Sequence, residues 1–334
     1  MPTCGSQVVL CDIPIRFDTY KGCEHGCLYC FAQRKRDISE VLVDESPESL
    51  DRFCKGHRSK ITMWADWDIP LHWGGMSDPF QPAEAIHKRS LACLKVLADN
   101  NYPFVVSTKG KIIAEPEYLE LISKCNAVVQ ISLACPDYDK YEPNAPTFNE
   151  RLAMCEKLAP KSKRLIIRIQ PYIIDHHQAI MDSLGLFKQA GVYGVVVEGI
   201  KMMKKHKGFI RHFGDMVYPA PLLKPKLLEI KHKAHDLGLK FYSGENRFRK
   251  MGDSLCCCGC ADLDGFKVNT YNLNHNMLRP EPTQGMKSKG SGACFRTLAQ
   301  ASVKVKTVDS KPYNELMDAI ANDKSYSKIL TPEQ

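Results

Sequence analysis

Three cysteines crowded between Cys23 and Cys30 are the residues of this chain whose spacing most directly implies chemistry. The run Lys21-Gly22-Cys23-Glu24-His25-Gly26-Cys27-Leu28-Tyr29-Cys30-Phe31 contains the pattern Cys-x3-Cys-x2-Cys. Thiolates so spaced on a short loop can each hold one iron of a cubane cluster, leaving the fourth iron without a protein ligand. An open coordination position is what allows a metal to bind and activate a small molecule. Gly22 and Gly26 give the backbone the freedom to curl and turn three side chains inward. Zinc is a second reading, with His25 as the candidate fourth ligand, although its position between the cysteines makes a closed tetrahedral site awkward. Buried structural cysteine is the third.

A second cluster, Cys256-Cys257-Cys258-Gly259-Cys260, is too dense to be packing alone, and Cys294 lies in Gly290-Ser291-Gly292-Ala293-Cys294-Phe295. Adjacent cysteines cannot all face one centre, so two or three of Cys256, Cys257, Cys258 and Cys260 are expected to join Cys294 as ligands. An auxiliary iron–sulfur cluster, zinc and a redox-active thiol pair are the candidate fillings. The compartment bears on this choice. Met1 to Leu10 lacks a basic segment followed by an apolar one, so a secretory signal is not expected. A cytoplasmic, reducing location follows, in which clustered cysteines are metal ligands more often than disulfides. No apolar run approaches the ~18 residues of a membrane span. The net charge of +8 suits a polyanionic partner without establishing one.

These groups need a scaffold, and the sequence between them alternates short apolar strands with helical stretches, the pattern of a parallel sheet. The expected strands are Ile15 to Asp18, Pro70 to Trp73, Pro103 to Ser107, Ala127 to Leu133, Leu165 to Ile169 and Gly194 to Val197, with Leu239 to Ser243 as a possible seventh. Pro82 to Ala98 reads as one helix with Ile86, Cys93, Leu94 and Leu97 on one face. Thr147 with Glu150, and Asp175 with Gln178, read as capping boxes opening later helices. Asp37 to Lys60 is a polar, poorly patterned insert. Six such units make an α/β fold, a partial (β/α)6 TIM-like barrel, with catalytic groups expected at the C-terminal strand ends. A doubly wound sheet is the alternative. Residues 1–243 form this barrel domain, and 244–334 lose the alternation and read as a C-terminal extension packed on it, organised by metal.

The cysteine spacing, with Tyr29 just before the last cysteine, resembles the signature of the radical SAM superfamily. More narrowly, Gly22-Cys23-Glu24-His25-Gly26-Cys27 and Trp73-Gly74-Gly75-Met76-Ser77-Asp78-Pro79-Phe80-Gln81-Pro82 resemble the spore photoproduct lyase-like group. Glu142-Pro143 followed by Arg151-Leu152 does too. The resemblance covers roughly residues 12–200 and gives no match to spore photoproduct lyase beyond residue 245. It implies that Cys23, Cys27 and Cys30 bind a 4Fe–4S cluster that chelates S-adenosylmethionine. One electron then releases a 5′-deoxyadenosyl radical that abstracts hydrogen from a substrate. It also places Gly74 and Gly75 against the methionine amino group, an ordinary tight turn being the plainer reading, and Tyr29 near the adenine.

The remaining candidates sit at strand ends. Ser107, Thr108 and Lys109 cap the third strand, and Lys109 could pair with the methionine carboxylate. Arg168, inside an apolar strand, needs a partner, either a ligand carboxylate or phosphate or a structural salt bridge. Glu198 could bind ribose hydroxyls or neutralise Lys201. Cys135 ends the fourth strand and so should face the cavity mouth, where a weak S–H bond suits a hydrogen donor; a small buried hydrophobe is the alternative. The basic segment Lys201 to Arg211 should flank that mouth. The leading expectation is a radical SAM enzyme modifying or repairing DNA, RNA or a nucleotide, with flavodoxin or ferredoxin as reductant and no membrane partner. The alternatives are a peptide- or small-molecule-modifying enzyme of the same chemistry, and a non-catalytic iron–sulfur or zinc protein that binds nucleic acid.

Overall fold

The computed structural model describes residues 1–4, 11–34, 37–59, 62, 69–202, 204–212 and 215–268. Cys294, with the rest of the extension from residue 269 on, lies outside the described residues.

Seven parallel strands form the sheet: β1 (Ile15–Phe17), β2 (Leu71–Trp73), β3 (Phe104–Thr108), β4 (Ala127–Ser132), β5 (Arg164–Tyr172), β6 (Gly194–Gly199) and β7 (Lys240–Ser243). They pair in chain order, with Thr3–Cys4 antiparallel on the outer edge of β1 and β7 on β6. The possible seventh strand is therefore real, and the barrel is open. β3 and β4 are buried almost throughout, as continuous Val- and Ile-rich runs must be when helices cover one face and a barrel interior the other.

The connecting helices are α1 (Pro47–Cys54), α2 (Ala83–His87), α3 (Arg89–Asp99), α4 (Pro116–Lys124), α5 (Phe148–Leu158), α6 (His177–Gln189) and α7 (Ala220–Asp236). Each buries one stripe against the outer face of the sheet, for example Leu91, Cys93, Leu94 and Leu97 of α3. No helix among the described residues is long and apolar enough to cross a membrane.

Three local expectations change. The helix read over Pro82 to Ala98 is two helices, broken at Lys88, which has φ +50°. The cause is Glu84, fully buried, whose carboxylate accepts from Ser90 N and Leu91 N at 2.8 Å and so starts α3 afresh. Ile86 is left on the outside, 80% exposed, rather than beside Cys93. The Thr147–Glu150 capping box is present, but Asp175 caps nothing; it sits in a 3-10 turn (Ile174–His176) that leads into α6 without a side-chain cap. The unpatterned insert holds α1, started by Ser46, whose Oγ accepts from Ser49 N at 3.0 Å, and by Pro47 in the first turn.

The extension does not simply lie on the barrel. Cys256, Cys258, Cys260 and Phe266 are buried against Ile13, Val105, Val128, Ile166, Val196 and Tyr242, the inward-facing apolar side chains of the strands. Arg164 holds the segment by donating to Gly259 O at 2.6 Å and pairing with Asp262 at 2.7 Å. Gly259 needs its φ of +62° and its missing side chain, because a Cβ would come within 2.6 Å of Ile166 and 2.8 Å of Tyr242.

Candidate active site

At the C-terminal ends of the strands a cavity of about 460 Å³ is lined by Cys23, Cys27, Cys30, Gly74, Ser107 and Arg168 among others. The loop carrying the three thiols, between β1 and α1, is clamped from two sides. From the β2 side, Ser77 Oγ donates to Gly22 O at 2.5 Å and Gln81 Nε2 to the same oxygen at 3.2 Å. Gln81 Oε1 accepts from Glu24 N at 2.9 Å, and Glu24 Oε2 accepts from Ala83 N at 2.6 Å. The Ser77-Asp78-Pro79-Phe80-Gln81 run is thus the bracket that holds the loop. Gly22 can be nothing larger, since a Cβ there would sit 2.0 Å from Glu40 O.

From the β4 side, Glu142 is the hub. Its carboxylate accepts from Tyr29 OH, pairs with Arg151 Nη2 at 2.6 Å and lies 3.8 Å from Lys109 Nζ. Arg151 is 1% exposed and also donates to Ser132 O at 2.8 Å. Burial pushes the Glu142 carboxyl up, and Arg151 opposes that shift. Leu28 N donates to Tyr141 O at 2.9 Å, and Asn144 Nδ2 to Glu24 O at 3.0 Å. Lys109, expected on a ligand carboxylate, faces Glu142 and the Tyr29 ring, 5.7 Å from its centroid.

His25 is not free to complete a zinc site. Its Nδ1 lies 3.3 Å from Asn144 O, and its Nε2 lies 3.2 Å from Asp78 Oδ2, an ion-pair contact without hydrogen-bond alignment. Burial would raise the Asp78 carboxyl, but His25, Lys109 N at 2.6 Å and Thr108 Oγ1 at 2.6 Å outweigh it and hold it at about 2. The donor set is therefore three thiols on one glycine-curled loop, opening on one cavity, with the nearby histidine engaged elsewhere. That set fits a cluster bound through three irons, with the fourth toward the cavity.

Gly74 has φ +84°, and a Cβ would lie 2.3 Å from Ser107 O, so β2 and β3 approach closely where a ligand would meet backbone. Deeper in, Ser107 Oγ donates to Gln130 Oε1 at 3.0 Å and lies 3.5 Å from His72 Nε2. Arg168, predicted to need an acidic partner, donates instead to two amide oxygens, Gln170 Oε1 and, at 3.0 Å, Gln130 Oε1. Glu198 neutralises Lys201 at 2.5 Å and accepts from Gln170 Nε2 at 2.6 Å, so the salt-bridge reading describes its place. Burial would raise the Glu198 carboxyl, but Lys201 and then Arg168 hold it down.

Cys135 differs from its expected position. It does not line the cavity; it is fully buried in the helix-side core, within 4.8 Å of Asp137 and His176, which are themselves paired at 2.9 Å. The chain turns into a 3-10 segment directly after β4 (Pro136–Tyr141), carrying the thiol away from the mouth. In the second cluster, Cys256 Sγ lies 3.5 Å from Cys260 Sγ. Hydrogen bonding from Cys258 and then Cys260 draws the Cys256 thiol well below its usual range. Cys257 points to the buried Arg249 instead. Sequence reading missed Arg16, His72, Asp78 and Gln81. The last two stood inside a motif already singled out, at a strand's C-terminal end, which was the available signal.

Residues 18–182 match the radical SAM superfamily. The chain carries a radical SAM domain. That domain places it in an enzyme class, and its fold agrees. Spore photoproduct lyase complexed with dinucleoside spore photoproduct superposes with TM-score 0.56 at 14% identity, over 69% of this chain and 76% of that one. SuiB of Streptococcus suis superposes with TM-score 0.51 at 11% identity, over 95% of this chain and 67% of that one. Uncharacterised proteins of Mycobacterium tuberculosis and Mycobacterium bovis are 24% identical over 217 residues, 59% of this chain. The radical SAM chain spans 62% of the length of these curated relatives.

Proposed function

We propose that this chain is a radical SAM enzyme in which Cys23, Cys27 and Cys30 hold a 4Fe–4S cluster, and that its substrate is a nucleic acid or nucleotide. The observation that carries the enzyme reading is the clamped loop: three thiols, bracketed by Ser77 and Gln81 on one side and Glu142 with Arg151 on the other, open on one cavity. When bound, the cluster supplies the electron that splits S-adenosylmethionine into methionine and a hydrogen-abstracting 5′-deoxyadenosyl group. The chain's own residues bind and orient. The close backbone at Gly74 and Gly75 receives the methionine amino group, and the Glu142–Lys109–Tyr29 set shapes the wall beside the cysteines. A nucleic-acid substrate is supported by the net charge of +8 and by the Lys201 to Arg211 segment, which leads into a hairpin (Ile210–His212 with Asp215–Val217) at the mouth. The dinucleoside spore photoproduct held by a protein of similar fold supports it too. The electron donor this reading requires is a flavodoxin or ferredoxin.

We propose also that Cys256, Cys258 and Cys260 hold a second metal centre at the barrel base, an auxiliary iron–sulfur cluster or zinc. The 3.5 Å between Cys256 and Cys260 sulfurs is close to the spacing of about 3.8 Å that thiolates keep around a tetrahedral ion at 2.3 Å. The test of the enzyme reading is anaerobic reconstitution with iron and sulfide, followed by S-adenosylmethionine and a strong reductant. 5′-Deoxyadenosine is the expected product by liquid chromatography, and its absence from cluster-loaded protein would sink the reading.

A further inference from the structure

Between the cysteine loop at the mouth and the cysteine plug at the base lies a polar layer that the protein leaves short of partners. Arg16, on β1, lines the cavity, and its Nε is buried without a hydrogen-bond partner among the described residues. No carboxylate of the described residues pairs with it. Its side chain runs against Gly75, where a Cβ would sit 3.5 Å from Arg16 Cδ and 3.7 Å from Nη1. His72, its register partner on β2, is buried beside it. Gln130, fully buried below, has Nε2 unpartnered, because its oxygen alone serves Ser107 and Arg168.

The charges around this layer do not cancel it. Asp78 is matched by His25, Glu142 by Arg151 and Glu198 by Lys201. Arg168 donates to amide oxygens and helps hold the Glu198 carboxylate down, so Arg16 is the guanidinium of this layer that no described carboxylate pairs with. Burial, then Arg16 and Arg168, pull the His72 imidazole far below its usual range, so it stays neutral and adds no third charge. A buried cation without a counter-ion is costly unless something supplies the anion. A planar guanidinium suits an oxyanion, which it grips through two parallel N–H groups.

We propose that this layer is an oxyanion subsite in which Arg16, backed by Arg168 and Gln130, receives a phosphate or carboxylate group of the substrate inserted end-first into the barrel. The position rests on the radical SAM reading only in putting S-adenosylmethionine along Gly74 and Gly75. Arg16 pairs in register with His72, which precedes those glycines, and its side chain reaches from there to Gly75, at the edge of the cofactor's place. The methionine carboxylate is the other source of the same chemistry, and the experiment separates the two.

The experiment uses full-length, cluster-reconstituted protein under anaerobic conditions. Inorganic phosphate and, separately, S-adenosylmethionine are titrated by calorimetry into wild type, Arg16→Gln and Arg16→Lys. The expected result is saturable phosphate binding by wild type, weakened about tenfold or more in Arg16→Gln and partly recovered in Arg16→Lys, as loss and return of a charge-assisted contact require. S-adenosylmethionine affinity should change less than about twofold, since the proposal gives that contact to the substrate group and not to the cofactor. Absence of saturable phosphate binding in wild type overturns the subsite. So does an Arg16→Gln protein that binds phosphate as wild type does. Weakened S-adenosylmethionine binding with unchanged phosphate binding overturns it by giving Arg16 to the methionine carboxylate. Circular dichroism melts check folding, and Arg168→Gln replaces Arg16→Gln if the latter does not fold, with the same expectation. 5′-Deoxyadenosine formation by the wild-type preparation is read in parallel. Phosphate binding without that product sinks the enzyme reading alone, and product without phosphate binding sinks the subsite alone.

Discussion

Arg151→Met is the substitution that most directly tests how the cysteine loop is held. Arg151 is 1% exposed, and its removal takes away the 2.6 Å partner of Glu142, whose side chain is 3% exposed. Breaking one partner from a buried pair costs about 3–5 kcal/mol, because the survivor stays buried and charged. At about 2–4 °C per kcal/mol for a chain larger than a small domain, the melting midpoint should fall by roughly 6–20 °C. The pH dependence has a definite sign. Burial already raises the Glu142 carboxyl above its usual value, with Arg151 opposing the rise. Without Arg151 it rises further, so the folded state binds a proton the unfolded state releases, and stability falls as pH rises through that window. The deficit of Arg151→Met should therefore be larger at pH 8 than at pH 5.5, by differential scanning fluorimetry of the metal-free proteins. Tyr29 hangs from the same carboxylate, so iron retained at Cys23, Cys27 and Cys30 should also drop. Glu142→Gln with Arg151→Met should recover part of the melting loss, since no buried carboxylate is then stranded and the Lys109 left beside it is partly exposed. Equal deficits at both pH values, or a double variant no better than the single one, would refute this account of the hub.

The other expectations concern the same cavity. Gly74→Ala places a Cβ 2.3 Å from Ser107 O at φ +84°, which should cost about 1–3 kcal/mol and abolish S-adenosylmethionine binding, read by denaturant titration and calorimetry. Ser77→Ala removes the 2.5 Å bond to Gly22 O and should cost about 1 kcal/mol while leaving Gln81 to hold the loop, so cluster content should fall only partly. The Cys23→Ala, Cys27→Ala, Cys30→Ala triple variant should lose 5′-deoxyadenosine formation yet keep metal at the barrel base. Elemental analysis showing no bound metal would end the proposal for Cys256, Cys258 and Cys260.

Much of this arrangement was legible before the structure because parallel strands announce themselves. Runs such as Val105-Val106 and Val128-Val129 are buried on both faces, and no helix–strand ambiguity survives when turns bound them closely. The cysteine loop was legible for a similar reason: three thiols and two glycines at fixed spacing admit few geometries. What could not be read depends on contacts between distant residues. The break at Lys88 comes from Glu84 capping the next helix, a cap supplied from inside the preceding helix rather than by a residue beside it. Cys135 was placed at the mouth because it follows a strand, whereas the turn at Pro136 sets its direction. Arg168 was expected to need an acid, and two glutamine oxygens accept from it instead, Gln170 two residues on along its own strand and Gln130 on the neighbouring strand, the latter a pairing invisible without register. Arg16 drew no notice because a strand arginine is ordinarily solvated; only its place on the cavity wall, with Nε buried and unpartnered among the described residues, makes it informative.

The interior of the barrel is layered by charge, and the layering bears on what can enter. At the mouth acids and bases lie side by side: Asp78 by His25, Glu142 by Arg151 and Lys109, Glu198 by Lys201. These contacts hold the shape of that layer. One layer down, Arg16 carries charge that no described carboxylate pairs with, and Arg168 beside it shares Glu198 with Lys201. Below that, Cys256, Cys258 and Cys260 pack with Val105, Val128 and Ile166 and close the far end of the barrel. A neutral substrate would gain nothing from such a floor, and a cation would be repelled. On the proposed subsite, an anionic end-group gains most, and its seating at Arg16 would bring its neighbouring atoms to the site where hydrogen would be removed.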